Sequence, residues 1–176
     1  MELGCGDGRA SRALAVEQPG AIVLGIDASA PAMAETSRRA AKTVRNVMFL
    51  AASAEAFACE LPGVADVVVI SFPWGSLLRG VLGTDPRVAA AIAAIVAPGG
   101  RVRALVSVTP RDGIEGVAAL DASTLAGLRP PPGLELVEAC PATREEILAS
   151  RSTWGRRLVA GGTASRPVWR LEWRRP

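Results

Sequence analysis

The chain has 176 residues, 49% of them apolar, and a formal charge of +3, which suits one α/β domain with a full core and is too short for two ordinary ones. Histidine is absent and the three cysteines (Cys5, Cys59, Cys140) are scattered, which excludes His-based triads, His metal sites and a Cys-rich metal or disulfide framework. No apolar run reaches membrane-spanning length and no basic-then-apolar leader opens the chain, so a soluble cytoplasmic protein with reduced thiols is expected.

Along the chain, apolar runs bounded by turn residues alternate with helical patterns, the sign of successive βαβ units. Strands are expected at Met1–Leu3, Ala21–Ile26, Val47–Ala51, Val67–Ser71, Arg101–Val108, Leu134–Ala139 and Val168–Trp173. Helices fall between them. One lies around Ser11–Glu17, and the next opens at Ser29-Ala30-Pro31 with a capping residue and a first-turn proline. A third runs from Asp85-Pro86 to Pro98-Gly99-Gly100, and Thr143-Arg144-Glu145-Glu146 is a capping-box start. Pro130-Pro131-Pro132-Gly133 reads as a rigid turn inside a single domain covering 1–176. The first strand is either short or truncated, because a glycine-rich turn already begins at Gly4.

Charge is unevenly placed. Residues 151–176 hold seven arginines against Glu172, a local +6, so the preceding 150 residues carry −3. A basic C-terminal face on an acidic body suggests a polyanionic partner, although a solvated basic tail has the same composition.

Glu2-Leu3-Gly4-Cys5-Gly6-Asp7-Gly8 has the spacing E-x-G-x-G-x-G between a strand and a helix. Such glycines let the chain turn sharply and let a ligand approach the main chain, but the spacing is not that of the dinucleotide fingerprint. Asp27 ends the second strand, where a carboxylate can accept both ribose hydroxyls of a nucleoside; alone it also reads as a helix-start acid, because Ser29 follows. Ser53-Ala54-Glu55 follows the third strand, and Glu55 alone would read as a solvated helix-start acid. Three such features at the carboxyl ends of three consecutive strands point to a ligand site. Their order resembles that of class I methyltransferases. That resemblance implies a Rossmann-like α/β fold with a seven-stranded, mostly parallel sheet, helices on both faces, and S-adenosylmethionine as cofactor.

After the fourth strand comes Ser71-Phe72-Pro73-Trp74-Gly75-Ser76, and a second tryptophan lies in Ser152-Thr153-Trp154-Gly155-Arg156-Arg157-Leu158. Trp is costly to leave half exposed unless it packs or holds a flat ligand, and both of these are flanked by glycine outside any apolar period. Trp169 and Trp173 alternate with Leu171 and read as strand packing.

These two tryptophan motifs, with Arg156-Arg157-Leu158, resemble the kanamycin–apramycin resistance methyltransferases, which modify N1 of adenine 1408 in 16S rRNA of the assembled small subunit. The resemblance covers nearly the whole chain and lacks the N-terminal extension that precedes Glu2 in that family. It implies that Gly4, Gly6, Asp27, Ala54 and Glu55 hold the cofactor together with Ser71, Phe72, Pro73, Ser76 and Ser152. Trp74 and Trp154 are then expected to sandwich the flipped adenine, and Arg156, Arg157 and Arg166 to face RNA. The implied enzyme is a metal-free monomer acting on the 30S subunit and conferring aminoglycoside resistance. Adenine N1 carries its own lone pair, so a chain without histidine suffices for the chemistry. Two alternatives share the cofactor motifs: a small-molecule N-methyltransferase, and a catalytically inactive Rossmann-like domain that binds RNA or nucleoside.

Overall fold

The computed structural model describes residues 1–117, 119–161 and 166–176. Among the described residues seven strands, β1 (Glu2–Leu3), β2 (Val23–Asp27), β3 (Val47–Ala51), β4 (Ala65–Ser71), β5 (Val96–Val106), β6 (Glu135–Pro141) and β7 (Trp169–Arg174), form one sheet. Its order is β3-β2-β1-β4-β5-β7-β6. β1 to β5 pair in parallel, and β7 runs antiparallel between β5 and β6. Because β1 lies between β2 and β4, the connections leave it in opposite directions, and a crevice opens at the carboxyl ends of these strands.

The alternation of each strand decides which face it feeds. Val68, Ile70, Val102, Ala104, Val106, Leu171 and Trp173 turn to one face and are almost fully buried. There they meet α3 (Ala54–Glu60), α4 (Gly75–Val81) and α5 (Pro86–Ile95) through Phe57, Leu78, Val81, Val88, Ile92 and Ile95. The opposite face carries two smaller clusters. Ala15 of α1 (Arg9–Glu17) packs on Val23, with Val44 just beyond α2 (Ala30–Thr43). Phe72 and Val168 pack with Ile147 of α7 (Arg144–Ala149) and Leu158 of α8 (Thr153–Gly161). A short α6 (Ala122–Ala126) precedes β6. Among the described residues no helix is long and apolar enough to cross a membrane.

Local chemistry explains the helix starts. Asp85 accepts from the Arg87 and Val88 amides at 3.1 and 3.2 Å and caps α5, with Pro86 in its first turn. The capping box at Thr143 forms in both directions: Thr143 N donates to Glu146 Oε2 at 2.8 Å, and Glu146 N donates to Thr143 Oγ1 at 3.2 Å.

Two expectations need correction. The helix from Pro86 ends at Ile95, and Val96 to Gly100 belong to β5. Residues before a proline are pushed out of the helical region, so Pro98 ends the helix upstream of itself; the surplus residues are absorbed by a register shift between the Ala65 and Val67 pairings. The fifth strand, expected at Arg101–Val108, ends at Val106, and the segments after Trp74 and around Trp154 form the helices α4 and α8. Trp169 and Trp173 pack as expected: Trp173 is buried, and Trp169 is half-buried with its indole N–H donating to Leu120 O at 3.0 Å.

Candidate active site

β1 leads directly into the glycine-rich turn, where Gly4, Gly6 and Gly8 have φ of 71°, 54° and 72°. The need for glycine is plainest at Gly8, where an added Cβ would lie 2.5 Å from Phe49 Cε1 and the left-handed backbone adds strain. Gly4 and Cys5 amides both donate to Ile26 O, at 2.8 and 3.0 Å, and so tie the turn to the end of β2. Asp27 completes the tie. Its Oδ2 accepts from Gly6 N at 2.8 Å and its Oδ1 from Ser29 N at 2.8 Å, which fixes a half-buried carboxylate with lone pairs to spare.

A cavity of about 310 Å³ opens above these groups, within the usual range for small-molecule sites. Gly4, Gly6, Asp27, Ala54, Glu55, Phe72, Pro73, Trp74 and Ser76 all line it, so the features at the ends of β1, β2, β3 and β4 do converge. Its walls are mainly apolar, from Leu3, Ile26, Ala52 and Leu77 among others, with the Asp27 and Glu55 carboxylates as its acidic groups. Behind the turn, Glu2 is buried and hydrogen-bonded by the Ser11 hydroxyl. Burial pushes its carboxyl up to about 7, against the opposing pull of that hydrogen bond. Burial likewise pushes the Cys5 thiol up to about 12, so it remains protonated beside Met33 Sδ at 3.4 Å.

Two expected cofactor residues lie elsewhere. Ser71 lines a cavity on the opposite face of the sheet with Arg103, Glu146 and Arg170, as strand alternation requires of the residue after Ile70. Ser152 is absent from the lining of the cofactor-sized cavity and instead accepts from Gly155 N at 3.3 Å at the start of α8.

Trp74 caps α4 at the rim of the cavity and is 57% exposed. Trp154, half-buried on α8, meets it with ring centroids 5.7 Å apart and planes at 73°. The rings therefore touch edge to face; a parallel sandwich around a base needs about 7 Å, two contacts of about 3.5 Å each. The two are brought together, closed on one another.

Arg166 departs from its expected place. Its guanidinium carbon lies 5.5 Å from the Trp154 centroid and 6.0 Å from that of Trp74. It donates to both carboxylate oxygens of Asp112, at 2.9 and 3.0 Å, so its charge is already matched within the protein. Arg156 and Arg157 are exposed on α8, with Arg157 one turn beyond Trp154. Asp112 was not singled out from the sequence. Its signal was Thr109-Pro110-Arg111-Asp112, a capping-box spacing that closes a short 3₁₀ turn here. Among the described residues no group of three or more His, Cys, Asp or Glu is placed to hold a metal ion.

A glycine cradle, a strand-end carboxylate and an apolar cleft on this sheet order define a class I S-adenosylmethionine-dependent methyltransferase. Comparison with known proteins narrows the class. The family model described as 16S rRNA (adenine(1408)-N(1))-methyltransferase matches residues 1–170. A protein of that description from Streptoalloteichus hindustanus is 29% identical over 179 residues, 90% of this chain and 79% of its own. The crystal structure of the 16S rRNA methyltransferase KamB superposes with a TM-score of 0.84 at 27% identity, covering 98% of this chain and 85% of that one. A mutant of the 16S rRNA (adenine(1408)-N(1))-methyltransferase from Catenulisporales acidiphilia, solved with its cosubstrate SAM, gives 0.80 at 26%, covering 99% and 84%. The chain belongs to the 16S rRNA (adenine(1408)-N(1))-methyltransferase family.

Proposed function

We propose that this chain methylates N1 of adenine 1408 on the 30S subunit, with the extruded base held between Trp74 and Trp154. Expressed in the cytoplasm of a susceptible bacterium, it acts as a metal-free monomer and confers resistance to kanamycin and apramycin. The observation that carries the reading is the meeting of two tryptophans, 80 positions apart, at the rim of the cofactor-sized cavity.

When bound, S-adenosylmethionine supplies an electrophilic methyl on a sulfonium sulfur. Gly4 and Gly6 offer the main-chain surface for it, Asp27 the acceptor for ribose hydroxyls, and Ala54 and Glu55 the rim near the nucleobase. Adenine N1 forms its new bond to carbon as the carbon–sulfur bond breaks, and the positive charge passes to the ring. No side chain has to remove a proton first. The protein's work is alignment, which can lower a barrier by about 7–11 kcal/mol.

Extruding the base costs a few kcal/mol, and stacking on an aromatic ring returns roughly 1–3 kcal/mol per base. One indole must turn for this, since the resting pair leaves no slot. The electron-rich indole faces then favour the cationic ring that develops, by about 0.5–2 kcal/mol. Arg156 and Arg157 supply salt-sensitive affinity for phosphates beside the clasp. The test is labelled methyl transfer to 30S subunits with primer extension across the decoding region. A polymerase stop at adenine 1408 is expected, and transfer without that stop, or no transfer by folded enzyme, overturns the proposal.

A further inference from the structure

We infer that Asp112 is a positioning residue for the adenine clasp: its carboxylate fixes the Arg166 guanidinium against both indoles and so sets where the two rings stand. The inference rests on reading Trp74 and Trp154 as that clasp.

Four distant segments meet in a narrow cleft beside the cofactor-sized cavity. Trp74 comes from the exit of β4, Asp112 from the loop after β5, Trp154 from α8 and Arg166 from the approach to β7. The guanidinium is held on several sides. Nη2 donates to both Asp112 oxygens and to Ser107 O at 3.2 Å, and Nη1 to Thr109 Oγ1 at 3.4 Å. Asp112 is held in turn, its Oδ2 accepting from Thr109 N at 2.7 Å and Thr109 Oγ1 at 3.0 Å. Both side chains are largely removed from solvent, Arg166 at 18% and Asp112 at 7% exposure. One guanidinium nitrogen thus reaches both carboxylate oxygens and a main-chain carbonyl while a second reaches Thr109 Oγ1, and a lysine, with a single nitrogen, could not make both sets of contacts.

A pair that merely latched the β5 loop to β7 would have no need to face the indoles. Here one guanidinium lies within 6.0 Å of two rings contributed by different segments, so moving it changes the resting geometry of both. The guanidinium is a charged group that both rings share.

The experiment compares wild type with Asp112→Asn, Asp112→Glu and Arg166→Lys. Asn keeps an acceptor for the Thr109 amide while removing the charge. Two readouts are taken: the exciton couplet that the indole pair contributes to circular dichroism, identified by its loss in Trp154→Phe, and kcat and KM for 30S methylation beside calorimetric cofactor affinity. In Asp112→Asn the couplet should weaken toward the Trp154→Phe level. kcat should fall about 10- to 100-fold, as expected for a small misplacement, with cofactor affinity unchanged. Asp112→Glu should recover part of both. A folded Asp112→Asn with a lower melting temperature but wild-type couplet and kcat makes the pair a structural latch and overturns the inference. If Asp112→Asn does not fold, Arg166→Lys is expected to show the same two losses, and its failure to do so overturns the inference equally. Wild-type protein that methylates no adenine 1408 removes the proposed function, while the couplet of the free protein still decides whether Asp112 sets the rings.

Discussion

Trp154→Ala is expected to separate the proposed base holding from cofactor holding. Trp74 lines both the cofactor-sized cavity and the cleft beside it, whereas Trp154 lines the cleft without reaching the cavity. Its removal deletes one stacking face, worth roughly 1–3 kcal/mol, and one indole from the stabilisation of the cationic ring, worth about 0.5–2 kcal/mol. Together these predict a loss in methyl transfer of about 10-fold to several thousand-fold, at 1.36 kcal/mol per decade. The ring is half-buried against the Phe72, Ile147 and Leu158 cluster, so the stability loss should stay below the roughly 3–5 kcal/mol typical of deleting a fully buried aromatic. The assay pairs single-turnover transfer to 30S subunits with calorimetric titration of S-adenosylmethionine. Transfer should collapse while cofactor affinity holds. Equal losses in both, or undiminished transfer, would refute the reasoning, because the ring would then be serving the fold or the cofactor.

Other changes test the remaining parts. Asp27→Ala removes the acceptor shared by the Gly6 and Ser29 amides and should weaken cofactor binding by about 10- to 100-fold, the range for a charged hydrogen bond; unchanged affinity by calorimetry takes Asp27 out of the site. In Gly155→Ala the new Cβ would stand 2.9 Å from Phe72 Cε2 and 3.1 Å from Ile147 O, so about 1–3 kcal/mol of stability should be lost. Methyl transfer should fall with it, because α8 carries Trp154; an unchanged melting temperature would contradict this. Glu2 gives a pH effect. Burial raises its carboxyl from 4.5 to about 7, so its stabilising protonated form is intact below the lower value and lost as pH rises through the higher one. Wild type should thus lose on the order of 3 kcal/mol between about pH 5 and about pH 8, and Glu2→Gln should lack that slope in denaturant titrations. A slope shared by both proteins assigns it to another group.

What could be read in the sequence was set by local chemistry. The βαβ rhythm, the Asp85 and Thr143 helix starts and the glycine spacing depend on residues a few positions apart, and all appear in the structure. The place of Asp27 and Glu55 at the cavity was legible because strand ends in an open sheet have a fixed relation to the crevice. Ser71 and Ser152 were carried over as cofactor residues by resemblance alone, and each side chain follows its own element instead: strand alternation for one, the turn into α8 for the other. Arg166 was expected to face RNA beside Arg156 and Arg157. Its pairing with Asp112, 54 positions away, is a tertiary fact that no local pattern carries. The same holds for the edge-to-face closure of the indoles, since motifs predict that two rings are needed but not the angle between them.

The meeting of those rings has a specific origin in Phe72. Its amide still donates to Leu105 O at 2.8 Å, so sheet pairing continues up to this residue. Its φ of 53° then puts a bulky side chain in the left-handed region, a strained conformation that persists only where the surroundings enforce it. That turn sends the ring away from the main core and into the cluster under α7 and α8, against the place where Gly155 lacks a side chain. Phe72 lies two residues before Trp74, and Gly155 directly follows Trp154. Phe72 therefore leads the chain into Trp74 and packs in the cluster that Trp154 borders, while the Arg166 guanidinium lies near both rings. In a chain without histidine the reaction has no acid–base group of that kind to depend on, so the rate follows from how well these few contacts place a base.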